Sequence, residues 1–183
     1  MRATALLVAL TTLSSEAART QPSGPYTGPA PDLPFWRDVI KRAGETPLDP
    51  SMSAIRVVWA PEALIYAAVI TIENDGEGAL VRVRRLPDRR KAGASTSDRR
   101  IGFGEWEELR QLVDAGVWRQ QPTAPTEAPP NMMDGVLWYA EATRGGLSHA
   151  ISRHEPCNPD VVNLLSRVVK IAGMAEEQPH CPQ

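Results

Sequence analysis

DGVLWYAEATRGGLSHAISRH, residues 134–154, is the stretch that decides the fold. Two alternating runs, Val136–Arg144 and Leu147–His154, flank Gly145-Gly146. A two-residue glycine turn suits the primed turn types, whose twist matches that of paired strands. A hairpin closed there sets Trp138 opposite Arg153, Ala140 opposite Ile151 and Ala142 opposite His149, all on one side of the sheet. Tyr139 with Ser152 and Glu141 with Ala150 take the other side. The first side is the more apolar, so helices are expected to cover it.

Upstream, the period of two recurs. Ile55, Val57 and Trp59 alternate with polar or smaller residues as far as Pro61. Leu64 to Glu73 (LIYAAVITIE) is rich in β-branched residues, Asn74 to Gly78 is a turn signal, and Ala79 to Leu86 alternates again. This predicts a strand followed by a second hairpin. Residues 87–100 read as a basic, Gly/Ser-containing loop.

Helical spacing occurs in three places. Phe35, Trp36, Val39, Ile40 and Ala43 predict a helix from Asp32 to Ala43, ended by Gly44. Trp106, Leu109, Leu112 and Val113 predict a helix from Gly104 to Gly116, with glutamates in its first turn, where the helix dipole favours negative charge, and Gly116 as its stop. Asn158 is a good N-cap, Pro159 suits the first helical position, and an apolar run from Val161 to Ala172 ends at Gly173. Trp106 and Trp138 are expected to anchor helix to sheet, and Trp118 to join the core. The fold class is α+β: a mostly antiparallel sheet of about five strands with two or three helices packed on one face.

The chain of 183 residues, 42% hydrophobic and 23% charged, has the composition of an ordinary globular protein. Its start carries an address. Met1-Arg2 precedes an uncharged apolar run from Ala3 to Leu13, and Ser15-Glu16-Ala17 offers small residues at the positions a signal peptidase reads. The run is about half the length that crosses a bilayer, so no membrane span is expected. Residues 1–18 are read as a signal peptide, 19–32 as a Pro/Gly-rich flexible segment, and 33–182 as a single domain in the periplasm or extracellular space. A second proline-rich stretch covers 120–131.

Two cysteines, Cys157 and Cys181, bracket the last helix. In an oxidising compartment an even count argues for a disulfide. The bond would close a loop of about 25 residues and stabilise by roughly 3 kcal/mol in the chain-entropy account. The competing metal site from His154, Cys157, His180 and Cys181 needs adjacent ligands at 180 and 181, whose side chains diverge; no metal is expected.

No catalytic residue is assigned and no cofactor is expected. The chain lacks a Gly-x-Ser-x-Gly elbow and a Ser-x-x-Lys pair. Gly102-Phe103-Gly104 lacks the phosphate-binding pattern and reads as a turn. Glu141 and His149 would make an acid–base pair, but the hairpin register puts them on opposite faces, and His154 lies far along the strand from Glu141.

Charge is unevenly distributed. Between residues 82 and 100 stand Arg82, Arg84, Arg85, Arg89, Arg90, Lys91, Arg99 and Arg100 against Asp88 and Asp98, in a chain of net charge −2. This is the candidate anion-binding segment, suited to an acidic protein or an anionic head group. Without interleaved aromatics it does not read as a nucleic-acid surface. The alternative is a solvated loop that keeps an edge strand from pairing with neighbours.

The run from Trp106 through Val117-Trp118, a Pro-containing loop, Asp134-Gly135, Trp138, Glu141, His149, Arg153 and Pro156 to Ile171-Ala172-Gly173 resembles a family of small exported bacterial proteins with no assigned activity. The resemblance covers residues 104–174 and implies export and an α+β domain. It carries over no catalytic residue, and Ser148 stands where such relatives often have an aromatic. The expected role is a non-enzymatic binding or accessory protein whose partner is another envelope or secreted protein. The alternatives are a hydrolase using Glu141 or a histidine as acid/base, and an anionic-ligand-binding protein using Arg82 to Arg100.

Overall fold

Alternation sorts the strand residues of this chain onto two faces, and each face is closed by a different set of helices. The computed structural model describes residues 34–61, 67–86, 95–121, 136–154 and 156–179. Its strands are β1 (Ala54–Pro61), β2 (Ala67–Asn74), β3 (Gly78–Leu86), β4 (Ser95–Gly102), β5 (Val136–Arg144) and β6 (Leu147–His154). They form one antiparallel sheet in the order β4-β3-β2-β1-β5-β6. The helices are α1 (Pro34–Arg42), α2 (Phe103–Val113), which runs into a π-helical turn (Asp114–Trp118), and α3 (Pro159–Ile171). The class is α+β, with six strands where about five are expected. Residues 1–33, the segments 62–66, 87–94 and 122–135, and Cys181 lie outside the described residues, so the expected signal peptide over 1–18, the Pro/Gly-rich stretch 19–32 and Arg89, Arg90 and Lys91 do too.

The β5–β6 hairpin has the register read from its sequence: Trp138 faces Arg153, Ala140 faces Ile151 and Ala142 faces His149. Its turn places both Gly145 and Gly146 at positive φ, 58° and 83°, which glycine adopts without steric penalty. The apolar side of this hairpin continues across the sheet. Ile55, Val57 and Trp59 of β1, Ile70 and Ile72 of β2, and Val81 and Val83 of β3 share one buried cluster with Trp138, Ala140 and Ile151. Trp106, Leu109 and Val113 of α2 and Val161, Leu164, Leu165, Val168 and Val169 of α3 close it from above. Two of the three helices therefore pack on the face expected to be covered.

α1 lies on the opposite face. Trp36, Val39 and Ile40 cluster with Val58, Ala60, Val69, Tyr139 and Ala150, the strand residues of the other parity. Trp36 stacks on Tyr139 with ring centroids 5.5 Å apart and donates from its indole nitrogen to Ser152 Oγ at 3.3 Å. α3 begins as its sequence dictates: the Asn158 side chain accepts from the backbone N–H groups of Asp160 and Val161.

Two local expectations are corrected. Residues 95–100, read as part of a loop, are strand β4. All six are exposed, so burial imposes no apolar period on them; only the ladder with β3 holds them extended. Gly116, read as a helix stop, instead sits inside the π-helical turn. A Cβ there would stand 2.8 Å from the Asp160 carbonyl oxygen and 2.9 Å from Leu164 Cβ. Glycine is required because the first turns of α3 pack directly on this backbone. Gly116→Ala is accordingly expected to destabilise by about 1–3 kcal/mol, the range for overpacking a dense interior, measured as a shift of the denaturant midpoint at unchanged slope.

Candidate functional site

The face that carries α1 holds a row of polar side chains at mid-strand. Register places Asp98, Arg82, Thr71, Arg56 and Glu141 side by side across β4, β3, β2, β1 and β5. Arg56 is the hub and is 1% exposed. Its guanidinium donates to Glu141 Oε1 at 2.8 Å, Thr71 Oγ1 at 3.1 Å, the Thr46 carbonyl at 2.7 Å and Glu45 Oε2 at 3.4 Å. Four acceptors around one planar cation satisfy nearly all its donors, which is what a buried arginine needs.

Glu45 comes from the loop after α1 and is 6% exposed. Its carboxylate accepts from Thr71 Oγ1 at 3.0 Å and lies 3.7 Å from Arg82 Nε and 3.4 Å from Arg84 Nε. Arg82 also grips Glu73 with two bonds of 2.8 and 2.7 Å, and Arg84 reaches Asp98 at 2.6 Å. The Arg84 guanidinium holds the Asp98 carboxyl below the usual carboxylate range. Tyr139 donates to Glu141 Oε2 at 2.9 Å; burial first, and Glu141 next, push its phenol far above the ordinary value. Both Glu141 oxygens thus accept from fixed donors.

These contacts place the candidate anion-binding residues into separate groups. Arg82 and Arg84 are bound to carboxylates of the protein itself, and Arg100 pairs with Asp75 and, at 3.8 Å, with Glu77. Arg85 and Arg99 are exposed and form no ion pair among the described residues. Both lie on the face opposite the Arg56 row, because Arg85 is opposite Ser95 and Arg99 opposite Val81. Arg89, Arg90 and Lys91 are outside the described residues.

The histidine and the glutamate of the second hairpin are kept apart. Glu141 lies beside Arg56, whereas His149 is fully buried on the other face against the π-helical turn. Its Nε2 bonds the Gln120 carbonyl at 2.9 Å and its ring stacks on Trp118, centroids 6.0 Å apart. The Arg144 guanidinium covers the same indole at 5.2 Å and pairs with Asp114 at 2.7 Å. Desolvation lowers the His149 pKa below its usual value, and Arg153 adds to the effect, while the bond to Gln120 opposes it. His154 ends β6 opposite Leu137; its side chain is outside the described residues. Among the described residues no group of three or more His, Cys, Asp or Glu is placed to hold a metal, and no helix is long and apolar enough to cross a membrane.

The sequence reading did not single out Glu45, Arg56 or Thr71. Arg56 carried one signal: a charge in the middle of a strongly apolar strand is either an error of assignment or one end of an internal pair. No family model matches the chain, and the search of curated proteins found no match either.

Two outcomes follow from this geometry. Arg56→Ala leaves Glu45 and Glu141 without their shared cation and is expected to destabilise by about 3–5 kcal/mol, whereas Arg85→Ala, on an exposed strand position, stays within about 0.5 kcal/mol; equilibrium unfolding in urea measures both. For His149 the native ring resists protonation while the unfolded one titrates near 6.5. Its contribution is therefore complete above about pH 6.5 and declines as the pH falls from there, until the native ring itself takes up a proton. The loss between pH 7.5 and 5.5, read from unfolding curves, should be smaller in His149→Gln.

Proposed function

We propose that this chain is an exported, non-enzymatic binding or accessory protein whose contact surface is the basic margin of the sheet at β3 and β4. The observation that carries the reading is the contrast in charge matching. Every arginine of the Arg56 row is bound to a carboxylate of the same molecule, while Arg85 and Arg99 project from the margin with none among the described residues. Cations that the fold does not need for itself are available to an acidic partner. The hydrolase reading draws less support, since Glu141 is held by Arg56 and Tyr139 and His149 stands behind the sheet.

Export is the second part of the proposal. It rests on the leader pattern of residues 1–18 and on the cysteines. No free cysteine occurs among the described residues. Cys157 immediately precedes the N-cap of α3, and Cys181 is its one potential partner in the sequence. A bond between them would tie the segment after α3 back to that helix's start.

Mass analysis of the protein from native cells tests export: the chain should lack residues 1–17 or 1–18, and alkylation in denaturant should add mass only after reduction. Affinity capture from the exported fraction tests binding. A reproducible partner, released as salt is raised, is expected; an intact leader with two free thiols, or capture of nothing, overturns the proposal.

A further inference from the structure

Resting on that reading, we propose that β4 is a docking edge that accepts an extended acidic segment of a partner protein as a seventh strand. β4 pairs with β3 alone, at the end of the sheet. Among the described residues the backbone of residues 95–100 makes no turn, loop or cap bond beyond that ladder, and these residues are exposed throughout. The outer N–H and C=O groups of such a strand are a template for another chain. The opposite edge differs: β6 carries the π-helical turn and the Gln120 and Gln121 carbonyls, which hold His149 and Arg153.

Charge selects the occupant. On the face shared with Arg56, Asp98 is taken by Arg84 and Arg100 by Asp75, so that side of β4 is neutralised from within. On the other side Arg99 stands on β4 itself, and Arg85 stands one strand in, directly opposite Ser95. Four strand positions separate the rows of Ser95 and Arg99, about 14 Å at the rise of an antiparallel strand. An incoming strand thus meets two cations on one face at that interval. The complementary segment carries acidic residues at i and i+4, which share a face in a strand, with residues of high strand propensity between them. A second copy of this chain lacks that complement: on the face of Arg85 and Arg99 its β4 offers Ser95, Ser97 and Arg99 and no carboxylate. Antiparallel self-pairing about a two-fold axis centred on residue 98 sets Asp98 against Asp98, and centred on residue 99 sets Arg99 against Arg99, like charges that repel; the Asp98–Arg100 pairs of the second register lie on the other face, where both residues already have partners in Arg84 and Asp75.

The test uses the purified chain and a fluorescein-labelled eight-residue Thr/Val peptide with Glu at its second and sixth positions. Controls carry Lys at those positions, or Glu at the second and fifth, which fall on opposite faces. Anisotropy at low salt should show saturable binding of the first peptide, weaker by about tenfold or more for either control. Arg85→Glu/Arg99→Glu should reduce its affinity at least as much. Hydrogen exchange should gain protection at alternate amides within residues 95–100 and nowhere on β6. No saturable binding, equal binding of the Lys peptide, unchanged affinity in the double variant, or a dimer lost with that variant in sedimentation would each overturn the inference. Capture from the exported fraction separates the two levels. A partner retained by the wild-type chain and lost by the double variant, without protection of β4 amides, leaves the binding reading standing and sinks strand addition. Capture of nothing by the wild-type chain sinks the binding reading itself.

Discussion

One buried ion pair couples the two halves of this molecule's second face: the Glu45 carboxylate and the Arg56 guanidinium, joined through Thr71. Arg56 belongs to the central strand β1 and Glu45 to the loop that leaves α1. Helix, loop and sheet therefore meet at one point, and Thr46 closes it with a backbone carbonyl. An arginine sealed from water is tolerated only where its donors are filled and its charge is compensated. That requirement fixes where the loop after α1 must run. It also explains why the neighbouring Arg82 and Arg84 point inward, towards the same carboxylate.

The other face solves a different problem. Its central residues are aliphatic or aromatic and ask only for cover, which α2 and α3 supply. The close approach of α3 to the π-helical turn at Gly116 sets the spacing there. A π-helical turn widens the helix by the extra residue it accommodates; its last residue, Trp118, lies against His149, with the Gln120 carbonyl just beyond it in bonding reach. The sheet is thus apolar and dense over the centre of one side, with Arg85 and Arg99 at its β3–β4 margin, and charged and clamped on the other. No acid–base pair spans it, because a strand sends neighbouring side chains to opposite faces. Glu141 and His149 are locked and separated by that division, while Arg85 and Arg99 stand at the margin without a carboxylate among the described residues.

Much of this was legible in the chain. The Gly-Gly turn fixed the register of the last hairpin, since a period of two admits no half-step. The Asn158-Pro159 cap fixed the start of α3, and the alternation of Ile55, Val57 and Trp59 fixed which side of β1 is buried against α2 and α3. β4 was not legible, because an exposed edge strand carries no apolar rhythm. The role of Gly116 was not legible either: a glycine at a helix end and one under a crossing helix look alike in sequence.

The sequence alone determined the local elements other than β4, the faces of the patterned strands and the separation of Glu141 from His149, because these depend on neighbours a few residues away along the chain. Only the tertiary structure decided that α1 covers the second face, that Glu45 meets Arg56, and that Arg85 and Arg99 meet no carboxylate among the described residues. Those outcomes depend on groups brought together from distant positions, such as Arg56 and Glu141, and no local pattern records which charge will face which once the sheet has closed.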